Sequence, residues 1–253
     1  MGFRVTWPML AVMAGLWVTS LRAETITVAA EDDWAPYSSM SADHGGPVGL
    51  SPDLVRAAFK TQQIDVRFVV LPFARCLRST ETGVVVGCFN TTRTKANKDQ
   101  FYWHATPLFQ EELGIFARSD SAAHDLTQKD LEGQTVGVTT GYTYPTELMS
   151  NARIVKLSAM SDGNLLKMLV ARRVDFILLN TMPGYYRIQQ EAALIGKVKR
   201  VGMVGLDSFW LSFSKRHPDG KRLSDVFEKG MQTIKANGQY DSMMAAFTHN
   251  IKP

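Results

Sequence analysis

The chain has 253 residues, 45% of them hydrophobic and 21% charged, enough apolar material for a large core and without the charge or Pro/Gly bias of disordered or collagenous chains. The net charge is +4, but Lys, Arg, Asp and Glu are interspersed, which argues against a nucleic-acid-binding arm, and the five His are too scattered for a metal cluster. Beyond the N-terminus no run reaches the ~18 apolar residues of a membrane span.

The N-terminal segment has the order of a secretory signal: Arg4, a ten-residue apolar run over 9–18, and the small residue Ala23. Cleavage after Ala23 would remove Arg4 and Arg22 and bring the net charge of +4 down by two. A buried N-terminal helix is the other reading. With no cysteine beside the cleavage point, a soluble protein retained in a bacterial periplasm is expected.

The mature chain opens with a strand at 25–30, followed by a loop at 31–37 that carries three acids and the aromatics Trp34 and Tyr37. Ser51 reads as a helix cap, with Pro52 first in the helix and Asp53 as its early acid. Leu54, Ala57 and Ala58 form its apolar face. A strand at 66–71, a helix from Pro72 through Leu77 and a strand at 84–89 complete a β-α-β-α-β rhythm, the pattern of a parallel sheet covered by helices. The rhythm restarts with strands at 113–118 and 134–138, a turn at 139–145 leading into a helix, a strand at 153–157, a helix at 164–171 and a strand at 174–179. Two α/β units in series predict two lobes. The tail is helical: Leu223, Val226, Phe227 and Ile234 share one face, Asn237-Gly238 stops it, and Tyr240, Met243, Met244 and Phe247 repeat at core spacing.

The two cysteines, Cys76 in the second helix and Cys88 in the strand after it, have two readings. A helix packed on the next strand brings Cβ atoms to ~4 Å, so a bridge fits an oxidising compartment and would add roughly 3 kcal/mol. Two buried thiols are the alternative.

Six segments in this order carry a resemblance: ITVAAEDDWAPYSS (26–39), GLSPDLVRAAF (49–59), NTTRTKANKDQFYWHATP (90–107), DLEGQTVGVTTGYTY (130–144), the strand at 174–180, and NGQYDSMMAAF (237–247). Together they make the chain similar to the periplasmic solute-binding proteins of ABC transporters, family 3, the polar-amino-acid group. The resemblance implies a two-lobed type II periplasmic-binding-protein fold of class α/β, each lobe a central, mostly parallel sheet flanked by helices. Lobe one would comprise 24–109 plus 206–253, and lobe two 110–205. It further implies a monomer that binds a small polar ligand in the cleft, needs no cofactor or metal, and presents its closed form to an inner-membrane ABC permease or a sensory receptor.

The family stacks its ligand on an aromatic of the first loop, a place held here by Trp34 with Tyr37 nearby; Phe73 is the expected opposing wall, with Arg75 beside it. Asn90, Thr91 and Thr92 stand where open sheets bind ligands, at a strand's carboxyl end. Gly141, Tyr142 and Thr143 are expected to end a strand and open a helix whose free amides would hold an anion. Two positions depart from the family pattern. The carboxylate-clamping arginine is replaced by Asn97, counted back from Trp103, and the amino-clamping aspartate by Asn180, counted from Asp175. Losing one buried partner of a charge pair costs about 2–5 kcal/mol, so these amides suit a neutral or singly charged ligand rather than an α-amino acid. In the counter-reading, Arg93, Arg75 or Lys98 takes the arginine's place. A rival on the same scaffold is a dehydratase-like enzyme, for which Glu31, Asp32, Asp33 and His104 are the candidate acids and bases. No nucleophile-elbow, zincin, P-loop or dinucleotide motif supports it.

Overall fold

The computed structural model describes Gly2 and residues 23–250; apart from Gly2 and Ala23 the expected export signal lies outside the described residues. Strand β1 (Glu24–Glu31) is buried from Val28 to its end, as a central strand covered on both faces must be. A small antiparallel side sheet follows, made of β2 (Asp33–Trp34), β3 (Ser38–Met40) and β4 (Pro47–Val48). Helix α1 (Leu50–Lys60), β5 (Ile64–Leu71), α2 (Phe73–Glu81), β6 (Gly87–Thr92) and β7 (Phe101–Trp103) lead to the long strand β8 (Phe109–Arg118). Then come β9 (Thr135–Thr139), α3 (Thr146–Ser150), β10 (Val155–Ala159), α4 (Asp162–Val170), β11 (Phe176–Asn180), α5 (Thr181–Gln190) and β12 (Val198–Ser214). Helices α6 (Gly220–Ala236) and α7 (Gln239–Asn250) close the chain. No helix among the described residues is long and apolar enough to cross a membrane.

The main sheet runs in the order β10-β9-β11-β8-β12-β6-β1-β5, with β7 paired to β12. β1 is parallel to β5 and β6, and β9 is parallel to β10 and β11. β8 and β12 are antiparallel to each other and to their outer neighbours β11 and β6. One curled sheet therefore runs through both lobes of this type II periplasmic-binding-protein fold. The core of one lobe gathers Val28, Leu54, Phe59, Phe213 and Phe227, and α7 lays Tyr240, Met243, Met244 and Phe247 on it. The cores of the other gather Ile115, Val136, Leu148 and Leu178 on one side of its sheet, and Phe116, Leu165, Leu169 and Ile177 on the other. β8 contributes Phe109 to the first lobe and Leu113 to the second; β12 contributes Val201 to the second and Phe209 to the first.

Four local expectations are corrected. The third strand begins at Gly87, not 84, because the chain is still turning out of α2: Val84 is 74% exposed and donates its N–H to the Ser79 carbonyl. Asn90–Thr92, expected to follow the strand, end it. Gly49 rather than Ser51 caps α1: at φ 122° a Cβ there would lie 2.5 Å from the Tyr37 carbonyl oxygen, so the turn requires glycine, and Ser51 is free to turn its hydroxyl inward. The helix expected after 139–145 is reduced to the five residues of α3, starting beyond Pro145. The segment 198–214 is a 17-residue strand whose register shifts at Arg200/Gly202 and Met203/Gly205.

Cys76 of α2 and Cys88 of β6 form a disulfide with their Cα atoms 5.6 Å apart, closing a loop of 12 residues and tying the helix that carries Phe73 to the strand that carries Asn90. A Cys76→Ser/Cys88→Ser double variant should lose about 2–3 kcal/mol of unfolding free energy, read by urea denaturation; a loss below ~0.5 kcal/mol would contradict this.

Candidate functional site

Parallel strands bring their carboxyl ends to one edge, and here that edge faces the gap between the lobes. β1 ends on Glu31, β6 on Asn90–Thr92, β9 on Thr139 and β11 on Asn180. Of the residues expected at the site, Trp34, Phe73, Asn90 and Thr92 from one lobe and Tyr142, Thr143 and Asn180 from the other line a common cavity with about 20 Å³ of space for a water-sized sphere. Glu31 and Phe209 complete its wall. That is room for about one water molecule, well below the ~300 Å³ at which small-molecule sites begin.

Its apolar side is built from rings. Trp34 packs on Phe209 with centroids 5.0 Å apart, and Phe73 meets Tyr142 edge-on across the gap at 5.6 Å. The polar centre is Glu31, 3% exposed, which accepts a long 3.4 Å hydrogen bond from the Asn90 amide. The Asn90 carbonyl oxygen is engaged by the Ser51 hydroxyl at 2.5 Å, which turns the amide donor toward Glu31. Asn90 holds φ 60°, a left-handed conformation that asparagine tolerates better than most residues. Burial pushes the Glu31 carboxyl up to about 8, against the pull of the Tyr142 hydroxyl and the Asn90 amide. From the opposite lobe, Asp162 accepts a 2.5 Å hydrogen bond from the Thr139 hydroxyl, and burial raises it to about 6.

Other contacts cross the gap. Arg187 of α5 pairs with Asp33 of β2, and Lys95 pairs with Glu147 of α3 at 2.6 Å. Glu111 of β8 accepts from the Tyr37 hydroxyl and, at 2.9 Å, from the Met182 N–H at the start of α5.

Five expected residues stand elsewhere. Tyr37 is buried behind Trp34, stacked on Phe109 at 4.3 Å, and does not line the cavity. Asn97 is occupied in its own loop: its carbonyl oxygen accepts from Thr94 N–H at 2.7 Å and its amide donates to the Thr92 carbonyl at 2.9 Å. Arg93 lines an adjoining cavity that shares Thr92 and Thr143 with the first, its guanidinium 6.0 Å from the Trp103 ring centroid. Arg75 is exposed. Gly141 lies against Ala74 of the facing lobe, where a Cβ would come within 2.9 Å of the alanine's. The helix N-terminus expected at 141–143 is not formed, since α3 starts at Thr146 and the Tyr142 N–H is taken by the Thr139 carbonyl. Of the remaining candidates, Lys98 pairs with its neighbour Asp99 at 3.0 Å. His104 is buried between Phe213 and Phe227, where burial lowers it to about 4. Asp32 carries a carboxyl raised by partial burial.

Sequence reading did not place Glu31 and Phe209 among the lining residues. An acid closing an apolar strand was a usable signal for Glu31; Phe209 sits in the strand that the sequence did not show.

The sequence model of the bacterial extracellular solute-binding proteins, family 3, matches residues 26–250. A search of curated proteins finds no match. Among solved structures, a histidine kinase sensor domain with similarity to periplasmic binding proteins is 21% identical, with TM-score 0.80 over 90% of this chain and 97% of that one. An ancestral arginine-binding protein bound to arginine is 21% identical, with TM-score 0.75 over 90% and 99%. An arginine transport-system periplasmic binding protein from Legionella pneumophila is 19% identical, with TM-score 0.75 over 88% and 99%.

The raised Glu31 carboxyl has a thermodynamic consequence. Between its unfolded value of 4.5 and its folded value of about 8, the folded protein holds a proton that the unfolded chain releases. The stability this provides is complete below pH 4.5 and is lost as pH rises through 8. Urea unfolding from pH 5 to 8.5 should show the wild type weakening by a few kcal/mol on the scale of ~1.4 kcal/mol per pH unit. Glu31→Gln should flatten that slope, and an unchanged slope in the variant would refute the assignment.

Proposed function

The chain belongs to the bacterial extracellular solute-binding proteins, family 3, and on that footing we propose that it captures a small polar ligand between its two lobes in the periplasm and delivers it to an inner-membrane ABC permease. The carrying observation is the shared cavity, whose walls come from both lobes, Trp34, Phe73 and Asn90 on one side and Tyr142, Thr143 and Asn180 on the other. A ligand there touches both lobes only when they are closed, so it stabilises the closed form by differential contact. The Cys76–Cys88 bond supports an oxidising compartment. The lobes are taken as 24–109 plus 206–253 and 110–205, with the hinge in the β8 and β12 segments between them.

The usual α-amino-acid clamp is not part of this reading. Asn97, at the position of the clamping arginine, is turned into its own loop, and Asn180, at the position of the clamping aspartate, offers an amide to the cavity. The likeness to a sensor domain supports a second reading, in which the closed form is presented to a membrane receptor instead of a permease. The enzymatic rival is weaker because His104, the base it would call on, lies in the core and not at the cavity.

Native mass spectrometry of protein purified from its own cells should find a retained small molecule, and Trp34→Ala should lose it. Calorimetry with the common amino acids should show no binding at micromolar concentration. Micromolar binding of any of them would overturn the account of the clamp.

A further inference from the structure

The cavity carries a sharper chemical signature than "small and polar". Four of its walls are aromatic: Trp34, Phe73, Tyr142 and Phe209. Among the described residues its single carboxylic acid is Glu31, and no Lys, Arg or His lines it. Of the basic groups nearby, Arg187 is paired with Asp33 and Lys95 with Glu147, and Arg93 lines the adjoining cavity that shares Thr92 and Thr143 with this one. A ligand carboxylate in this space would be buried facing Glu31, with Asp162 adding negative potential from the other lobe and no cation to pair with, an arrangement that desolvation makes costly. A positive group meets the opposite situation, since a carboxyl and the faces of aromatic rings both favour it.

A second, independent feature points to an occupant. The Thr92 hydroxyl, in a residue 7% exposed that lines the cavity, has no hydrogen-bond partner among the described residues. Buried hydroxyls are nearly always satisfied. Thr92 therefore offers one unused polar contact in the cavity that Glu31 also lines, and the bond that Glu31 accepts from Asn90 is long at 3.4 Å.

We propose that the ligand is a small organic cation lacking a carboxylate, an amine, amidine or guanidine, whose positive group sits against Glu31 and donates to Thr92 while its carbon frame lies between Trp34 and Phe73. This rests on the reading of the cleft as a ligand-binding site and adds the class of ligand. The reaction is a proton exchange: the neutral Glu31 carboxyl gives its proton to the buffer, and the carboxylate so formed pairs with the incoming ammonium or guanidinium, which keeps its own proton. Burial already holds Glu31 protonated near neutrality, so binding at pH 7 releases up to one proton.

Titration calorimetry of the mature protein tests this with matched pairs, agmatine against arginine and putrescine against ornithine, together with choline, each in two buffers of different protonation heat. At least one carboxylate-free cation should bind, a decarboxylated member at least tenfold tighter than its amino acid, with net proton release near pH 7. Glu31→Gln should weaken it at least tenfold while thermal unfolding shows a folded variant, and Thr92→Val should weaken it severalfold. Tighter binding of arginine or ornithine than of its decarboxylated partner overturns the proposal, as does unchanged affinity in Glu31→Gln. If neutral or anionic solutes bind at micromolar concentration and the cations do not, the cation assignment falls and the cleft reading stands. If no solute of any charge binds or shifts the melting temperature, both fall.

Discussion

A carboxyl group taken out of water must be paired, hydrogen-bonded or protonated, and Glu31 meets that requirement where the two lobes face each other. Its backbone carbonyl accepts from the Ser38 hydroxyl at 2.6 Å, anchoring the end of β1 to the side sheet, while its side chain points into the gap toward Asn90 and Tyr142. Asn90 belongs to the same lobe and Tyr142 to the other, so the environment of this one acid differs between joined and parted lobes. In the arrangement described, burial favours its protonated form. The aromatic walls, amides and hydroxyls of the cavity surround this group.

The remaining cross-cleft contacts are too weak to decide the state of the molecule alone. Lys95 and Glu147 are well exposed, and pairs of that kind contribute about 0–1 kcal/mol. Arg187 and Asp33 are more sheltered on the arginine side but still reach solvent. On the proposed function, a ligand supplies the difference in free energy between open and closed lobes. Glu111 acts nearer the pivot: held by Tyr37 from one lobe and by the Met182 amide from the other, it joins the first loop to the start of α5 on the strand that passes between the lobes. The disulfide keeps α2 on β6, so that Phe73 and Asn90, three residues before and two after the cysteines respectively, move as one wall.

Much of this architecture was legible because burial leaves periodic traces. The alternation of β5, the face of α6 and the spacing of Tyr240, Met243, Met244 and Phe247 follow from packing against one core, while the apolar run of β1 follows from burial on both faces. What was illegible had mixed signals. β12 carries Lys199, Arg200 and Asp207 and is broken by Gly202 and Gly205, because it serves as a crossing between lobes and changes register as it goes. α5 contains Pro183 and Gly184, poor helix formers that the tertiary packing accepts: a Cβ at Gly184 would lie 2.9 Å from the Phe116 ring. At the site, Asn90 and Thr92 were readable from their place at the end of a strand, Trp34 and Asn180 were placed by the family resemblance, and Glu31 was named only as a candidate acid of the rival enzyme. The fate of Asn97 was not, since nothing in sequence distinguishes an asparagine aimed at a ligand from one closing its own turn.

The central claim is that the two lobes close on a ligand around the Glu31–Tyr142 contact. Pulsed electron–electron distance measurement between spin labels at the exposed positions Val84 and Ile195, one on each lobe, addresses it directly. The account predicts two distance populations, with the solute retained from cells enriching the closed one and Tyr142→Ala depleting it. A single distance, indifferent to both solute and substitution, would show a rigid molecule and contradict the account.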